Sequence, residues 1–233
     1  MAAPLVAAKQ RIRVMMKQKL ATLSSDSIAT QSRVLFESLQ SFQPYKEAKR
    51  ISVYLSMPGG EIQTDAIVRH ALQNGKQVFV PYLHKAQPDP QNPHLPARVM
   101  DMVQLSGLAD YESLKPDKWG IPSIDPATVN ERNRILGSGT EEARPGLLGL
   151  DLIFMPGGFY DFFISRYSHM YPARDEFGRP SVLLYGLALK EQFLMHPEEE
   201  GIPVGPLDEP PHGIADTESC LLYSTLISNA VTT

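Results

Sequence analysis

The 233-residue sequence has one cysteine, Cys220, and one tryptophan, Trp119. A single thiol excludes an internal disulfide framework and suits a reducing compartment. There is no basic excess: 22 Lys and Arg stand against 26 Asp and Glu, a net charge of -4, so little is available to meet a nucleic-acid backbone. No apolar run approaches the roughly 20 residues that a membrane helix requires. Zinc-ligand spacing is also missing among His70, His84, His94, His169, His196 and His212. Cys220 lacks a sequence partner that would make it a nucleophile. What is present, 42% hydrophobic and 21% charged residues, fits an ordinary globular chain with a sizeable core.

The residues from Met1 to Ser25 include Lys9, Arg11, Arg13, Lys17 and Lys19 and no acid. That is also the composition of an organelle transit segment. Ile12, Met16, Leu20 and Leu23, however, recur at helical spacing, and a helix docked on the body is the preferred reading. With no secretory signal, the expected compartment is the cytoplasm, a mitochondrial location being the alternative.

Farther on, Ser27 to Phe42 reads as a second helix, with Ile28, Leu35, Leu39 and Phe42 on one face. Arg50 to Met57 alternates like a strand and stops at Pro58-Gly59-Gly60. Thr64 is placed to cap a short helix closed by Gly75, and Gln77 to Tyr82 is a further strand. This strand–helix–strand unit predicts a parallel pair. Arg98 to Leu105 reads as a strand. Leu150 to Pro156 is almost wholly apolar, as a strand buried on both faces must be. A helix from Phe159 to Met170, a buried strand from Val182 to Leu189 and a last strand from Ser219 to Ile227 complete the reading. Pro-rich or Gly-rich stretches near 84–97, 123–147 and 197–217 are expected to be irregular. The fold class is α/β: one three-layer domain over residues 1–233, with a mostly parallel central sheet flanked by helices.

Five stretches carry a family resemblance. They are Lys9-x-x-x-Arg13, Leu55-Ser56-Met57 leading to Glu61-Ile62-x-Thr64, Trp119-Gly120-Ile121-Pro122, Leu150 to Gly157, and Leu187 to Gln192. In that order they resemble the 5-formyltetrahydrofolate cyclo-ligase family, also called methenyltetrahydrofolate synthetases. The resemblance implies an enzyme that uses ATP and Mg²⁺ to convert 5-formyltetrahydrofolate into 5,10-methenyltetrahydrofolate, releasing ADP and phosphate. A catalytically inactive folate- or nucleotide-binding relative is the alternative. The charge balance and the lack of long apolar runs leave no nucleic-acid or membrane partner expected, and a monomer is the expected state.

The resemblance assigns Lys9 and Arg13, four apart on one helix, to the ATP phosphates; a basic terminal helix is otherwise simply solvated. Gly158, Phe159 and Tyr160 fall in the same ATP-binding region. Leu55 and Glu61 match folate-lining positions, where a carboxylate can accept from the pterin amino and ring N–H groups. Glu61 also suits the positive end of the helix that follows it. Met57 and Trp119 are candidate apolar walls for the flat ring, although a lone tryptophan is more often a core anchor. Asp161, within Gly158-Phe159-Tyr160-Asp161, and Asp208, after Pro203, match magnesium ligands. The competing readings are a first-turn helix acid for Asp161 and a polar loop residue for Asp208, with Asp216 a rival.

One departure stands out. In the family pattern Met-Pro-Gly is followed by a loop and an Arg-Leu-Gly-x-Gly-x-Gly run before Tyr-Tyr-Asp. Here Met155-Pro156-Gly157 joins directly to Gly158-Phe159-Tyr160-Asp161. The expected consequence is an intact fold with impaired phosphoryl transfer, because such glycines let backbone N–H groups converge on phosphate oxygens.

Overall fold

The computed structural model describes residues 2–86, 96–137, 149–156, 160–172, 182–193, 208 and 211–215. Its elements run α1 (Ala2–Leu20), α2 (Ser25–Leu39), α3 (Gln43–Glu47), β1 (Arg50–Val53), α4 (Asp65–Gln73), β2 (Gln77–Lys85), β3 (Arg98–Gln104) and α5 (Leu108–Ser113). There follow the two-residue strands β4 (Lys115–Pro116) and β5 (Pro122–Ser123), then β6 (Leu152–Met155), α6 (Asp161–Met170), β7 (Leu183–Leu187) and β8 (Gly213–Ala215). Short 3-10 turns lie at Val129–Glu131 and Lys190–Gln192.

The main sheet has six strands in the order β3-β2-β1-β6-β7-β8. All neighbours are parallel except β3, which runs antiparallel to β2 at the edge. The expected β1–α4–β2 parallel unit is therefore present. From β1 the chain builds outward through β2 and β3, then returns to lay β6, β7 and β8 on the other side. The order reverses between β1 and β6, and such a reversal opens a crevice at the carboxyl ends of the two strands.

Side chains alternate across the sheet and fill two cores. On one face Ile51, Val53, Val78, Leu152 and Phe154 pack with Leu35 and Leu39 of α2 and with Ile67, Val68 and Ala71 of α4. On the other, Phe79, Met102, Ile153 and Met155 pack with Phe163, Ile164 and Tyr167 of α6. Every residue of β6 is buried, which explains why its sequence carries no polar alternation. The layers are helix, sheet, helix, the expected α/β class.

Three local features depart from the sequence expectations. The first strand ends at Val53, not Met57, because the Tyr54 carbonyl accepts a hydrogen bond from Thr64 Oγ1 at 2.6 Å and the chain turns back. That bond also removes Thr64 as a side-chain cap: it sits at the N-cap position of α4 without capping it. The segment read as irregular near 197–217 contains β8, too short to show any alternation. The strand expected over Ser219 to Ile227 lies outside the described residues, as do Cys220 and Asp216. The N-terminal stripe is half-buried along Ile12, Met16, Leu20 and Leu23, and Leu20 and Leu23 pack against the first core.

β8 is held to β7 partly by a histidine. His212 Nδ1 accepts from the Leu184 N–H at 2.9 Å, and the His212 N–H donates to the Leu184 carbonyl at 2.8 Å. An accepting Nδ1 must be unprotonated, and burial lowers the His212 pKa from its ordinary value. The unfolded chain then takes up this proton at a higher pH than the fold does. The contribution is complete above about pH 6.5 and is lost as pH falls below it. His212 is partly exposed, so the expected loss in melting temperature is roughly a degree or two on lowering the pH to 5. Thermal melts of wild type and His212→Gln over this range check it: the variant should lack that pH-dependent increment.

Candidate functional site at the sheet switch point

The turn after β1 is built by a small hydrogen-bond network. Gln63 Nε2 donates to the carbonyls of Met57 and Glu61, each at 2.9 Å. The Gln63 N–H donates to Ser32 Oγ at 2.8 Å, tying the turn to α2. The Thr64 N–H reaches Ser56 Oγ at 3.3 Å. Inside this frame Glu61 Oε1 accepts from the Met57 N–H at 2.6 Å. Sequence reasoning passed over Gln63 and Ser32. Gln63 is the unassigned position between Glu61 and Thr64, where only the closed turn reveals what an amide does.

Glu61 is held in an environment that resists its charge. Burial raises its carboxyl pKa, and the Met57 N–H offsets this only in part. Burial first, and the Glu61 charge after it, push up the hydroxyl pKa values of Tyr54 and Tyr160. Glu61 follows β1 and Tyr160, the residue immediately before α6, follows β6, so both lie beyond the carboxyl ends of adjoining parallel strands. The switch point thus brings together the turn after β1 and the start of the helix after β6.

The two tyrosines differ in one respect. Tyr54 donates its hydroxyl to the Ile62 carbonyl at 2.9 Å. Tyr160 is only 5% exposed, and its hydroxyl has no hydrogen-bond partner among the described residues. An orphaned buried hydroxyl costs about 1–3 kcal/mol. Tyr160, expected beside ATP, has its ring in the core beneath α6 and its hydroxyl in the field of Glu61. Gly158 and Phe159 lie outside the described residues.

Leu55 is half-buried against the first core. Met57 and Trp119 are 40% and 56% exposed. Trp119 is thus not a core anchor. It sits on the turn between β4 and β5, with Lys118 Nζ 4.2 Å from its ring centroid. That turn abuts the turn after β1: Gly120 has φ 80°, and a Cβ placed there would lie 2.8 Å from Pro58 Cγ. Two exposed apolar side chains, Met57 and Trp119, are therefore carried on adjoining turns.

The basic helix enters from the β7 side. Both carboxylate oxygens of Asp208 lie 2.5 Å from Lys9 Nζ. The pair is half-buried, with side-chain exposures of 25% and 27%. Below it, α1 packs on the 3-10 turn at Lys190–Gln192. That turn is fixed by Gln31 of α2, which accepts from the Lys190 N–H at 3.0 Å and donates to Glu191 at 2.9 Å. Arg13 is exposed on α1, and Asp161 is half-buried in the first turn of α6. Lys9 and Asp208, assigned to phosphate and metal, are thus partners, while Glu61 and Tyr160, assigned to different ligands, follow the adjoining strands β1 and β6.

The turn that carries Glu61 and the start of α6 lie at the carboxyl ends of the adjoining parallel strands β1 and β6, and an open α/β sheet of this class offers its ligand crevice at such a switch point. The sequence profile described as the 5-formyltetrahydrofolate cyclo-ligase family matches residues 6–210, so the chain belongs to that family. It is 30% identical over 200 residues to the Caenorhabditis elegans protein named "Probable 5-formyltetrahydrofolate cyclo-ligase", covering 80% of this chain and 84% of that protein. It is 31% identical over 173 residues to the 5-formyltetrahydrofolate cyclo-ligase of Mus musculus, covering 68% and 74%. A 5,10-methenyltetrahydrofolate synthetase structure from Mycoplasma pneumoniae superposes with a TM-score of 0.49 at 14% identity, over 90% of this chain and 99% of that one. The family assignment rests on the sequence relationships.

Proposed function

We propose that this chain catalyses the ATP-dependent cyclisation of 5-formyltetrahydrofolate to 5,10-methenyltetrahydrofolate, with release of ADP and phosphate. The observation that carries the reading is the placement of the Glu61 turn and the start of α6 at the adjoining carboxyl ends of β1 and β6, in a chain of this family. The γ-phosphoryl group passes to the formyl oxygen and ADP leaves. N10 then attacks the activated formyl carbon, the five-membered ring closes, and the carbon–oxygen bond to phosphate breaks. The protein must align N10 with that carbon and neutralise charge around the transferred group.

In this reading Glu61 accepts hydrogen bonds from the pterin, while Leu55, Met57 and Trp119 flank the ring. Lys9 and Arg13 meet the triphosphate. Magnesium, which favours hard oxygen donors and takes one or two carboxylates, would be held by Asp161 and Asp208, where it would screen the phosphate charge. One observation supports that donor set: Asp208 already faces a cation, the Lys9 ammonium, with both its oxygens. Water and phosphate oxygens would supply the remaining ligands.

An absorbance assay for methenyltetrahydrofolate, with 5-formyltetrahydrofolate and MgATP as substrates, tests the proposal. Product formation that requires ATP is the expected result. Calorimetric binding of 5-formyltetrahydrofolate without product or ATP consumption would instead favour a non-catalytic folate-binding relative. A folded chain that binds neither compound would overturn both readings.

A further inference from the structure

We propose that Gln63 is a positioning residue for folate binding: its side-chain amide, by holding the backbone on both sides of the turn after β1, fixes the direction in which the Glu61 carboxylate meets the ligand. The inference rests on the folate reading above and goes further, by naming the group that aims one of its contacts.

The backbone of this turn has little of its own to hold it. Between Val53, the end of β1, and Asp65, the start of α4, there is no helix or strand, and the tip is Pro58-Gly59-Gly60. Gly59 and Gly60 have φ 103° and 78°, in the left-handed region that glycine enters freely. No backbone–backbone hydrogen bond joins Met57 to Glu61 among the described residues. One side chain spans the tip instead. Gln63 Nε2 donates to the Met57 carbonyl and to the Glu61 carbonyl, each at 2.9 Å. Both acceptors are carbonyl oxygens, which only the nitrogen end of the amide can satisfy, so the side chain has one orientation.

Gln63 is itself tied to the body of the protein. Its N–H donates to Ser32 Oγ at 2.8 Å, and Ser32 Oγ donates to the Ile28 carbonyl of α2 at 2.7 Å. Ser32 is buried, and Ile28 belongs to the first core. A chain of hydrogen bonds therefore runs from α2 through Gln63 to the backbone of Met57 and Glu61. Glu61 closes the tip from the other side, its Oε1 accepting from the Met57 N–H at 2.6 Å. Met57 is thus held at its carbonyl by Gln63 and at its N–H by Glu61. With the Glu61 backbone fixed and a donor placed on one of its carboxylate oxygens, the second oxygen is aimed before a ligand arrives. Ordering done in the free protein is a cost removed from binding.

Gln63→Met tests this, because it keeps the length of the side chain and deletes its donors. Calorimetry on the full chain should show the Kd for 5-formyltetrahydrofolate raised about fivefold to tenfold, since a looser turn must be ordered on binding. The Kd for MgATP should stay within about twofold, and the melting temperature without ligand should fall by no more than about 4 °C. A double-mutant cycle then separates positioning from general support. In a Glu61→Gln background, Gln63→Met should raise the folate Kd by less than about twofold, because the group it aims has already been altered. An equal factor in both backgrounds would mean that Gln63 acts without Glu61 and would overturn the inference. So would an unchanged folate Kd in Gln63→Met, or a variant that fails to fold or loses MgATP affinity as well, since the amide would then serve the fold at large. Unaltered folate affinity in Glu61→Gln alone would also overturn it, while leaving the folate reading standing. If the wild-type chain itself does not bind 5-formyltetrahydrofolate, the folate reading falls before any variant is made and takes this inference with it.

Discussion

Inserting Arg-Leu-Gly-Ser-Gly-Ser between Gly157 and Gly158 should raise the turnover of methenyltetrahydrofolate formation by about a hundredfold or more. In phosphoryl transfer the protein does little covalent chemistry, and rate comes from positioned charge around the moving group. The family pattern carries a glycine-rich run at this junction. Consecutive glycines let backbone N–H groups turn toward phosphate oxygens, and an arginine adds paired, charge-assisted hydrogen bonds. Removing a single oriented donor of this kind commonly costs a factor of about a hundred. The present chain passes from β6, which ends at Met155, to α6, which begins at Asp161, with only five intervening residues. The N-terminus of α6 still offers backbone donors to an anion.

The frame around the junction should tolerate the insert. β6 is buried throughout, and α6 is anchored by Phe163, Ile164 and Tyr167 in the second core, so neither depends on a short connection to stay in place. The entropic cost of lengthening a loop grows only with the logarithm of its length. Steady-state assays of the original and lengthened chains, with circular dichroism to confirm folding, provide the measurement. Equal turnover in two folded forms would mean that the charge stabilisation comes from elsewhere in this chain.

How far the sequence discloses these features depends on whether the determining contact is local. β6 is readable because burial on both faces forces an unbroken apolar run, and the β1–α4–β2 unit is readable because its punctuation by Pro58, Gly59, Gly60 and Gly75 is local. The direction of β3 is a different matter. It is reached through a proline-rich connection, and nothing in Arg98 to Gln104 itself distinguishes a parallel from an antiparallel neighbour. β8 has three residues, fewer than any alternation needs. Within the site, Glu61 and Asp208 stand out only through family resemblance. The pairing of Asp208 with Lys9 joins positions 199 residues apart, and the burial of the Tyr160 hydroxyl follows from how α6 packs. Such facts are tertiary, and no window of sequence contains them.

The Lys9–Asp208 pair leads to the other large effect. Lys9→Met should raise the Kd for MgATP by about 10- to 100-fold, whereas Arg13→Met should raise it only severalfold and mainly at low salt. The difference follows from exposure. Lys9 is half-buried with its ammonium committed to a carboxylate, while Arg13 is open to solvent, where ions screen it. Without nucleotide, Lys9 supplies the counter-charge that Asp208 requires. In the proposed complex the ammonium turns to phosphate oxygens and Asp208 turns to the metal, so each keeps an opposite charge throughout. Lys9→Met breaks both arrangements. It removes the Lys9 charge from beside Asp208 in the free protein and a phosphate contact in the bound one. Asp208→Asn should weaken MgATP binding while leaving the weaker, metal-free binding of ATP largely intact, because its effect is routed through the cation. Titrations of ATP with and without magnesium separate the two. If Lys9→Met and Asp208→Asn lowered the melting temperature equally and left both affinities within about twofold of wild type, the pair would be a clasp holding α1 to the body. The nucleotide would then have to be sought on another face of the protein.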